Sequence, residues 1–312
     1  MDFVRLGNSG LNITTLTYGT ALTIGTESND TNYSKELIDT AWNCGIRSFD
    51  TSNNYGNGNA ERLLGNALKK YPRHCYVLST KGSWPIGDSI YERGLSRKHL
   101  CYALETSLSR LQMDYIDIYY AHRYDPNVPM LEIIRTFNHF INTGKILYWA
   151  TSEWPLDALK ECIQLCEKYN YEKPITEQFI YSYAVQKSVA NGVKAFCHSN
   201  GIGTICFSPL CQGYLTGKYK KTIPQNSRIA KAEILNYNKT QNFYAQNKER
   251  IDFFLNVCEK YTSNPCAVAL QWCFRQKIYP VFGASTPKQI EDNVEAANVI
   301  IPNELWRELE SK

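Results

Sequence analysis

Four ionisable side chains near the ends of predicted strands have the types and spacing that proton transfer requires. Asp50 ends one apolar run, Lys81 ends the next, and His122 lies at the end of the one after that. Tyr55 stands in the Asn/Gly-rich turn that follows Asp50. Each side chain alone has an ordinary structural explanation, but their occurrence on consecutive strand ends favours a shared site.

A phenol beside an ammonium group is suited to giving a proton to a carbonyl oxygen. An isolated tyrosine has a pKa of about 10, so it is a weak acid near neutral pH. The Lys81 ammonium favours the phenolate and would lower that pKa by about 1–3 units. Asp50 would keep Lys81 charged, and His122 could donate a hydrogen bond to the developing oxyanion. These groups supply no electrons, so a bound hydride donor is implied.

The elements that would position these residues repeat as an apolar strand, a polar turn and an amphipathic helix. The predicted strands are Leu16–Ala21, Arg47–Ser52, Tyr76–Lys81, Tyr115–Arg123, Ile146–Trp154, Ile175–Tyr181, Gly203–Leu210 and Tyr279–Ser285. The predicted helices lie near residues 33–44, 59–70, 96–110, 130–142, 155–169, 187–199, 265–276 and 287–297, with a C-terminal helix after Pro302. Eight such units predict a single α/β domain over residues 1–312, a (β/α)8 TIM barrel whose strand ends share one mouth.

A doubly wound sheet is the competing architecture. Gly56 and Gly58 lie between a strand and a helix, as in a dinucleotide fingerprint, but Glu61 occupies the position of the third glycine. The doubly wound fold would also require this fingerprint after the first strand, where YGTALTIGT offers only scattered glycines. The barrel is therefore the favoured fold.

Two further segments complete the predicted fold. Residues 2–14 read as an N-terminal hairpin, with two short alternating runs around Asn8-Ser9-Gly10. Residues 211–248 form a connection after strand seven that is far longer than a usual βα loop. Because they are rich in Leu, Ile, Tyr and Phe, they predict a loop that covers a ligand rather than a disordered linker.

Composition excludes several classes of function. A formal charge of +4 without a Lys/Arg block argues against nucleic-acid binding. No apolar run approaches the roughly 18 residues of a membrane span, and the N-terminal residues lack the apolar region of a signal peptide. We therefore expect a cytoplasmic protein that does not insert into a membrane directly.

The cysteines indicate reduced thiols and not a metal centre. The 11 cysteines are scattered, with no CxxC pair. Cys162 and Cys166 share a predicted helix face, but no histidine at ligand spacing accompanies them, which favours core packing. No metal is expected.

Several motifs together identify a family. They are GNSGL (7–11), FDTSNNYG (49–56), TK (80–81), ERGLSRKHL (92–100), RLQMDYIDI (110–118), DPNVPM (125–130), FSPL (207–210), LTGKY (215–219) and GAS (283–285). Over nearly its whole length the chain resembles the aldo-keto reductases, and most of all the voltage-gated potassium channel β-subunit branch. The resemblance implies NADPH-dependent reduction of aldehydes and ketones, with Asp50, Tyr55, Lys81 and His122 as the catalytic tetrad.

The resemblance also implies the residues that contact the cofactor. At the nicotinamide end these are Gly19, Thr20 and Asp50, with Ser152 and Gln178 on the carboxamide and Phe207 stacked on the ring. Over the pyrophosphate they are Ser208, Pro209, Leu210 and Lys218, with Arg228 in the lid. At the adenosine phosphate they are Gly283, Ser285, Gln289 and Asn293, with Lys288 as a nearby charge at the start of a helix. Trp84 and Trp154 are predicted to be apolar substrate walls, with ordinary core packing as the alternative.

Three positions depart from the channel branch. His122 replaces an asparagine, so the proton machinery resembles that of the reductases proper, and a histidine can titrate near neutral pH. Ala21 replaces an aromatic residue, which implies a roomier pocket, and Glu153 replaces an arginine close to the cofactor, where it could weaken anion binding.

The favoured function is reduction of a small carbonyl substrate. One alternative is an NADPH-sensing regulatory β-subunit docked on a membrane channel. Another is a reductase dedicated to pyridoxal or a triose aldehyde. A homo-oligomer or a channel partner is compatible with the resemblance.

Overall fold

The structure is a computed structural model that describes residues 1–25, 30–220, 222, 227 and 239–312, and the side chains of the last range from residue 244. Its centre is a closed barrel of eight parallel strands, surrounded by helices. The barrel strands are β3 (Thr17–Gly19), β4 (Ser48–Asp50), β5 (Val77–Gly82), β6 (Ile116–Ala121), β7 (Ile146–Ser152), β8 (Thr176–Ile180), β9 (Gly203–Phe207) and β10 (Tyr279–Phe282). The predicted (β/α)8 barrel is confirmed.

The described helices cover the outside of the barrel. They are α1 (Thr31–Asn43), α2 (Asn59–Leu68), α3 (Arg97–Leu111), α4 (Met130–Asn142), α5 (Leu156–Tyr169), α6 (Lys187–Ala190), α7 (Val193–Ser199), α8 (Lys239–Lys260), α9 (Pro265–Arg275), α10 (Pro287–Ala296) and α11 (Asn303–Glu310). Short 3-10 turns lie at Tyr55–Gly58, Arg73–Cys75, Ile90–Glu92 and Cys211–Thr216.

Strand composition explains why the sheet closes on itself. Every residue of β6, IDIYYA, is buried, because side chains on one face fill the barrel and those on the other meet the helices. Neighbouring strands pair in parallel in chain order, and β10 closes the ring by pairing with both β3 and β9. The C-terminal ends of all eight strands therefore open at one mouth.

The N-terminal hairpin is also present. Strands β1 (Phe3–Arg5) and β2 (Asn12–Thr14) pair antiparallel, with Val4 opposite Ile13. Leu6 and Ile13 belong to the same buried cluster as Ile118 and Ile205, which point into the barrel. Val77 and Ile175, at the starts of strands, pack against that cluster. The hairpin therefore covers the N-terminal end of the barrel and leaves the opposite end open for a site.

Three element boundaries differ from the sequence predictions. Every barrel strand except β5 ends earlier than predicted, so that His122 follows β6 and is not part of it. The helix predicted at 187–199 is interrupted at Gly192, whose φ of +81° is left-handed. The connection predicted to be a loop through residue 248 begins as the 3-10 turn at Cys211–Thr216 and is helical from Lys239 onward. Most of it between residues 223 and 238 lies outside the described residues.

Close packing between α2 and α3 gives a test of this arrangement. A Cβ added at Gly65 in α2 would lie 2.2 Å from the Leu111 carbonyl oxygen in α3. Alanine is a better helix former than glycine by about 1 kcal/mol, which would favour the substitution in an open helix. Here overpacking against backbone should exceed that gain, so we expect Gly65→Ala to lower the free energy of unfolding by about 1–3 kcal/mol.

Urea titration measures the effect. Gly10→Ala is the matched control, because a Cβ at Gly10 would meet nothing within 4 Å. An increase in stability for Gly65→Ala would show that α2 and α3 are not packed as closely as described.

Candidate active site

A buried ion pair lies at the centre of the barrel mouth. Lys81 Nζ on β5 is 2.5 Å from Asp50 Oδ2 at the end of β4, and their side chains are 0% and 4% exposed. The ammonium also donates to the Thr51 carbonyl at 2.8 Å, and the other Asp50 oxygen accepts from Ser79 Oγ at 2.7 Å. Burial alone would lower the pKa of Lys81, but Asp50 and Tyr55 together outweigh it and the pKa is raised. Lys81 is therefore charged at neutral pH.

Tyr55 lies beside this pair because of the turn that carries it. It begins the 3-10 turn at Tyr55–Gly58 and reaches Lys81 Nζ with its hydroxyl at 3.4 Å. The next residue, Gly56, has a φ of +54°, and a Cβ there would lie 2.0 Å from the Gly25 carbonyl oxygen. Only glycine fits this position, which is a reason for the glycine in the NYG sequence.

The pKa of Tyr55 reflects two opposing effects. Burial raises the pKa of the phenol above its ordinary value, and the charges of Lys81 and Arg123 lower it. The net direction is upward, because burial outweighs the two charges, so the lowered pKa expected from the sequence is wrong and the phenol keeps its proton in the free protein. A protonated phenol next to a fixed ammonium is a proton donor whose conjugate base is stabilised as it forms.

His122 enters the site from the first position after β6. Its backbone N–H donates to the Gly82 carbonyl at 3.1 Å, and its Nδ1 lies 3.1 Å from Ser52 Oγ. Burial, together with the charges of Lys81 and Arg123, holds the pKa of His122 well below its ordinary value. The expectation that this side chain titrates near neutral pH is therefore wrong, because the imidazole is buried among cations and stays neutral.

A cavity of about 770 Å³ leads from these residues to the first turns of α10. Its lining includes most of the residues named from the sequence, which are Gly19, Asp50, Tyr55, His122, Ser152, Gln178, Phe207, Ser208, Pro209, Leu210, Lys218, Gly283, Ser285, Gln289 and Asn293. Ala21 also lines it. The structure thus brings the strand-end residues and the residues around α10 into one continuous space.

Other residues named from the sequence lie beside or away from the cavity. Lys81 is buried behind Asp50, and Thr20 is buried with its hydroxyl 2.8 Å from Thr51 Oγ1. Lys288 is exposed and forms an ion pair with Asp292 at 2.8 Å. Arg228 lies outside the described residues.

The two tryptophans behave differently. Trp84 is 41% exposed, and its ring lies 6.2 Å from that of His122, so it is adjacent to the site. Trp154 is 2% exposed, belongs to the hydrophobic core and donates from its indole nitrogen to the Ala121 carbonyl at 3.2 Å. Its packing matches the ordinary core alternative, and neither tryptophan is among the residues that line the cavity.

Some lining residues were not identified from the sequence. Arg123 lies in the lining, and its position directly after His122 was a usable signal. Asn264 and Cys266, at the start of α9, reach the far end of the cavity, where Cys266 Sγ lies 3.1 Å from Asn293 Oδ1. Asn264 and Cys266 were missed because the packing of α9 against α10 has no signature in the sequence.

The cavity fits a dinucleotide. Ser152 and Gln178 offer a hydroxyl and an amide at the Tyr55 end, and Gln178 Nε2 is 3.4 Å from Asp50 Oδ1. In the middle, Gln212 Oε1 is buried without a hydrogen-bond partner among the described residues, so a polar ligand could satisfy it. The arrangement can hold an elongated polar group and transfer a proton at one end of it.

The described residues contain neither a metal-binding cluster nor a membrane-spanning helix. Within residues 1–25, 30–220, 222, 227 and 239–312, no group of three or more His, Cys, Asp or Glu side chains could hold a metal ion. No helix in the part of the chain that the structure describes is long and apolar enough to cross a membrane. Cys162 and Cys166 are buried in the core on one face of α5.

Comparison with known proteins agrees with these features. The sequence profile of the aldo/keto reductase family matches residues 15–312. The chain is also 35% identical over 306 residues to a protein of Schizosaccharomyces pombe provisionally named voltage-gated potassium channel subunit beta. The match covers 96% of this chain and 89% of that protein.

The buried ion pair makes a testable contribution to stability. Removing one partner leaves an uncompensated buried charge, which costs about 3–5 kcal/mol, whereas replacing both by apolar or neutral groups often costs little. We therefore expect Asp50→Asn and Lys81→Met each to lower the free energy of unfolding by about that amount, and the double variant to be more stable than either single variant.

Urea unfolding of the four proteins in this cycle is the measurement. The exposed pair Lys260–Glu308 is the control, because exposed pairs contribute at most about 1 kcal/mol. A double variant that loses the sum of the two single losses would mean that Asp50 and Lys81 do not interact.

Proposed function

The chain belongs to the aldo/keto reductase family, and we propose that it is an NADPH-dependent reductase that converts aldehydes and ketones to alcohols. The observation that carries this proposal is the buried ammonium of Lys81, held between the Asp50 carboxylate and the Tyr55 hydroxyl at one end of the cavity. The residues of the site cannot supply electrons themselves. Members of the family generally use NAD(P)H as the hydride donor, and the cavity has room for this cofactor.

Tyr55 is proposed to give its proton to the carbonyl oxygen. When bound, the reduced nicotinamide would supply a hydride to the carbonyl carbon. As negative charge develops on the oxygen, the Tyr55 proton moves to it, and the phenolate that remains lies next to the Lys81 ammonium. Asp50 keeps that ammonium charged through the reaction, and the phenolate regains a proton from water before the next cycle.

His122 is proposed to orient the carbonyl with a neutral imidazole. The single hydrogen of the Ser52 hydroxyl has more than one acceptor in reach, including Asn54 Oδ1 at 2.7 Å and Nδ1 of His122 at 3.1 Å. The proposed role requires that it turns to Nδ1 when substrate binds, so that the ring proton lies on Nε2 and can be donated to the substrate oxygen. A neutral donor suits this role, since it stabilises the oxyanion and does not compete with Tyr55 as the acid.

The proposed cofactor contacts follow the cavity. Ser152 and Gln178 would hold the carboxamide, Phe207 would stack on the ring, and the residues from Ser208 to Lys218 would contact the pyrophosphate. Ser285 and Gln289, joined by a 2.9 Å hydrogen bond, lie at the adenosine end. The proposed preference for NADPH over NADH rests on the family resemblance. Lys288 does not add to it, because its ammonium is already paired with Asp292 at 2.8 Å.

A regulatory channel subunit is the second candidate, favoured by the name of the relative from Schizosaccharomyces pombe. A subunit of this kind would bind the cofactor tightly and turn over slowly. His122 favours the reductase, because the channel branch resembles this chain but carries asparagine there. Tight retention of cofactor with negligible turnover and a co-purifying partner would support the regulatory subunit instead.

Tyr55→Phe tests the proton donor. We expect it to lower kcat for aldehyde reduction by about 10²–10⁴-fold, since it removes the acid, and to leave the Kd for NADPH almost unchanged. Steady-state kinetics and cofactor fluorescence titration measure the two quantities. Tyr102→Phe is the control, because Tyr102 is 53% exposed on α3. Retention of more than a few per cent of kcat by Tyr55→Phe would sink the assignment.

His122→Asn tests the neutral imidazole through the pH profile. Because the pKa of His122 is held well below its ordinary value of 6.5, the ring stays neutral until the pH falls below that lowered pKa. We expect His122→Asn to lower kcat by at least about 10-fold, because amide and imidazole place the donor differently, and to leave the shape of the profile around the ordinary histidine pKa of 6.5 unchanged. If the wild-type plot of kcat against pH changes slope near pH 6.5 and the variant does not, His122 titrates there and the prediction is wrong.

A further inference from the structure

We infer that Arg123 recognises an anionic group on the substrate, so that the preferred substrates are aldehydes or ketones bearing a carboxylate or phosphate. This inference deepens and rests on the proposed reductase function, which by itself assigns no role to Arg123. The side chain lines the cavity beside His122 and is half-buried.

The hydrogen bonds of Arg123, a residue that lines the cavity, all come from Nη1 on one side of the guanidinium. Nη1 donates to the His122 carbonyl at 2.5 Å and to Ser152 Oγ at 3.1 Å, which uses both of its hydrogens. In the part of the chain that the structure describes, Nε and Nη2 have no hydrogen-bond acceptor. Neither atom is among the fully buried polar atoms without a partner, so both retain access to solvent or to a ligand. Together Nε and Nη2 form the side of the fork that binds a carboxylate through two parallel hydrogen bonds.

The position of Arg123 matches a substrate contact. The guanidinium carbon lies 5.4 Å from the centre of the Trp84 ring, which in turn lies beside His122. Its charge is also close enough to lower the pKa of both Tyr55 and His122. An anion bound to the fork would therefore lie close to the proton donor, which suits small substrates with the anion a few bonds from the carbonyl.

Beside Tyr55 and His122, the neighbouring charges leave Arg123 as a cation that a substrate could meet, in addition to Lys218, which also lines the cavity and is assigned to the cofactor. Lys81 is neutralised by Asp50, and no carboxylate oxygen among the described residues lies within 4.0 Å of the Arg123 guanidinium. Burial raises the pKa of Glu177 to about 8, so this side chain is mostly protonated at neutral pH. Glu153 attracts Arg123 electrostatically, but its Oε1 accepts from the Ile180 N–H at 2.5 Å and it does not line the cavity.

A different role for Arg123 would be to position Ser152 for the cofactor. In that case, loss of the guanidinium would weaken NADPH binding and slow all substrates alike. Recognition of an anion instead changes the discrimination between substrates. The ratio of kcat/KM for an anionic aldehyde to that for its neutral isostere separates the two roles.

The test compares 4-formylbenzoate with 4-formylbenzamide in the wild type, Arg123→Met and Arg123→Lys. We expect Arg123→Met to lower the ratio by about 10- to 100-fold, and Arg123→Lys to lower it less, since it keeps the charge but not the fork. Glu153→Gln should raise the ratio, because it removes the competing negative charge. Arg135→Met is the control, since Arg135 is exposed on α4 and donates to the Tyr171 hydroxyl. A ratio unchanged in Arg123→Met would overturn the inference.

Two further arms complete the test. The same ratio of kcat/KM, relative to 4-formylbenzamide, is measured for 4-formylphenyl phosphate. A larger ratio for the phosphate than for 4-formylbenzoate, if it is lost in Arg123→Met, would assign the site to phosphate. A larger ratio for 4-formylbenzoate would assign it to carboxylate. If neither aldehyde is reduced, the reductase proposal fails, and benzoate binding to the NADPH-loaded protein decides the anion site separately. Weaker binding in Arg123→Met than in Arg135→Met supports it, and equal binding overturns it.

Discussion

The site depends on a single constraint, which is that a lysine ammonium is kept charged in the interior of the barrel. Removing an ion from water costs several kcal/mol, so an isolated Lys81 would lose its proton. Asp50 prevents this at 2.5 Å, and its carboxylate is in turn fixed by Ser79 and approached by Gln178. The same charge stabilises a phenolate at Tyr55, and it adds to the burial that keeps the imidazole of His122 neutral. Burial and this buried cation together therefore set the protonation of the residues around it.

The barrel supplies the geometry that this pair requires. Asp50 and Lys81 come from adjacent parallel strands, so their side chains meet at the mouth without any adjustment of the loops. The loops above the strands adopt less favourable backbone conformations. Leu22, Ser208 and Gln212 all line the cavity with positive φ, which costs a non-glycine residue about 1–2 kcal/mol. Local strain of this kind persists where the surrounding structure holds a ligand site open.

Sequence reasoning was most successful where a physical pattern repeats along the chain. Strand and helix periodicity predicted the barrel, and the ionisable residues at strand ends predicted the grouping of Asp50, Tyr55, Lys81 and His122. Sequence reasoning was less successful where tertiary packing decides the outcome. The neutral state of His122 depends on burial beside Lys81 and Arg123, and the core position of Trp154 depends on packing against residues distant in the sequence. Helix α8 was missed because the polar sequence after Lys239 has weak amphipathic character. Arg123 was overlooked although it adjoins His122, because a charged residue after a strand is usually solvated.

The central claim is that this arrangement catalyses repeated reduction of a carbonyl group. The most direct measurement is the stoichiometry of NADPH oxidation by the purified chain with a panel of aldehydes, with the alcohol product quantified alongside the consumed cofactor. The account predicts many turnovers per chain and one alcohol formed for each NADPH oxidised. Oxidation that stops after one equivalent of cofactor, or that yields no alcohol, would contradict it and would favour a protein that senses the cofactor.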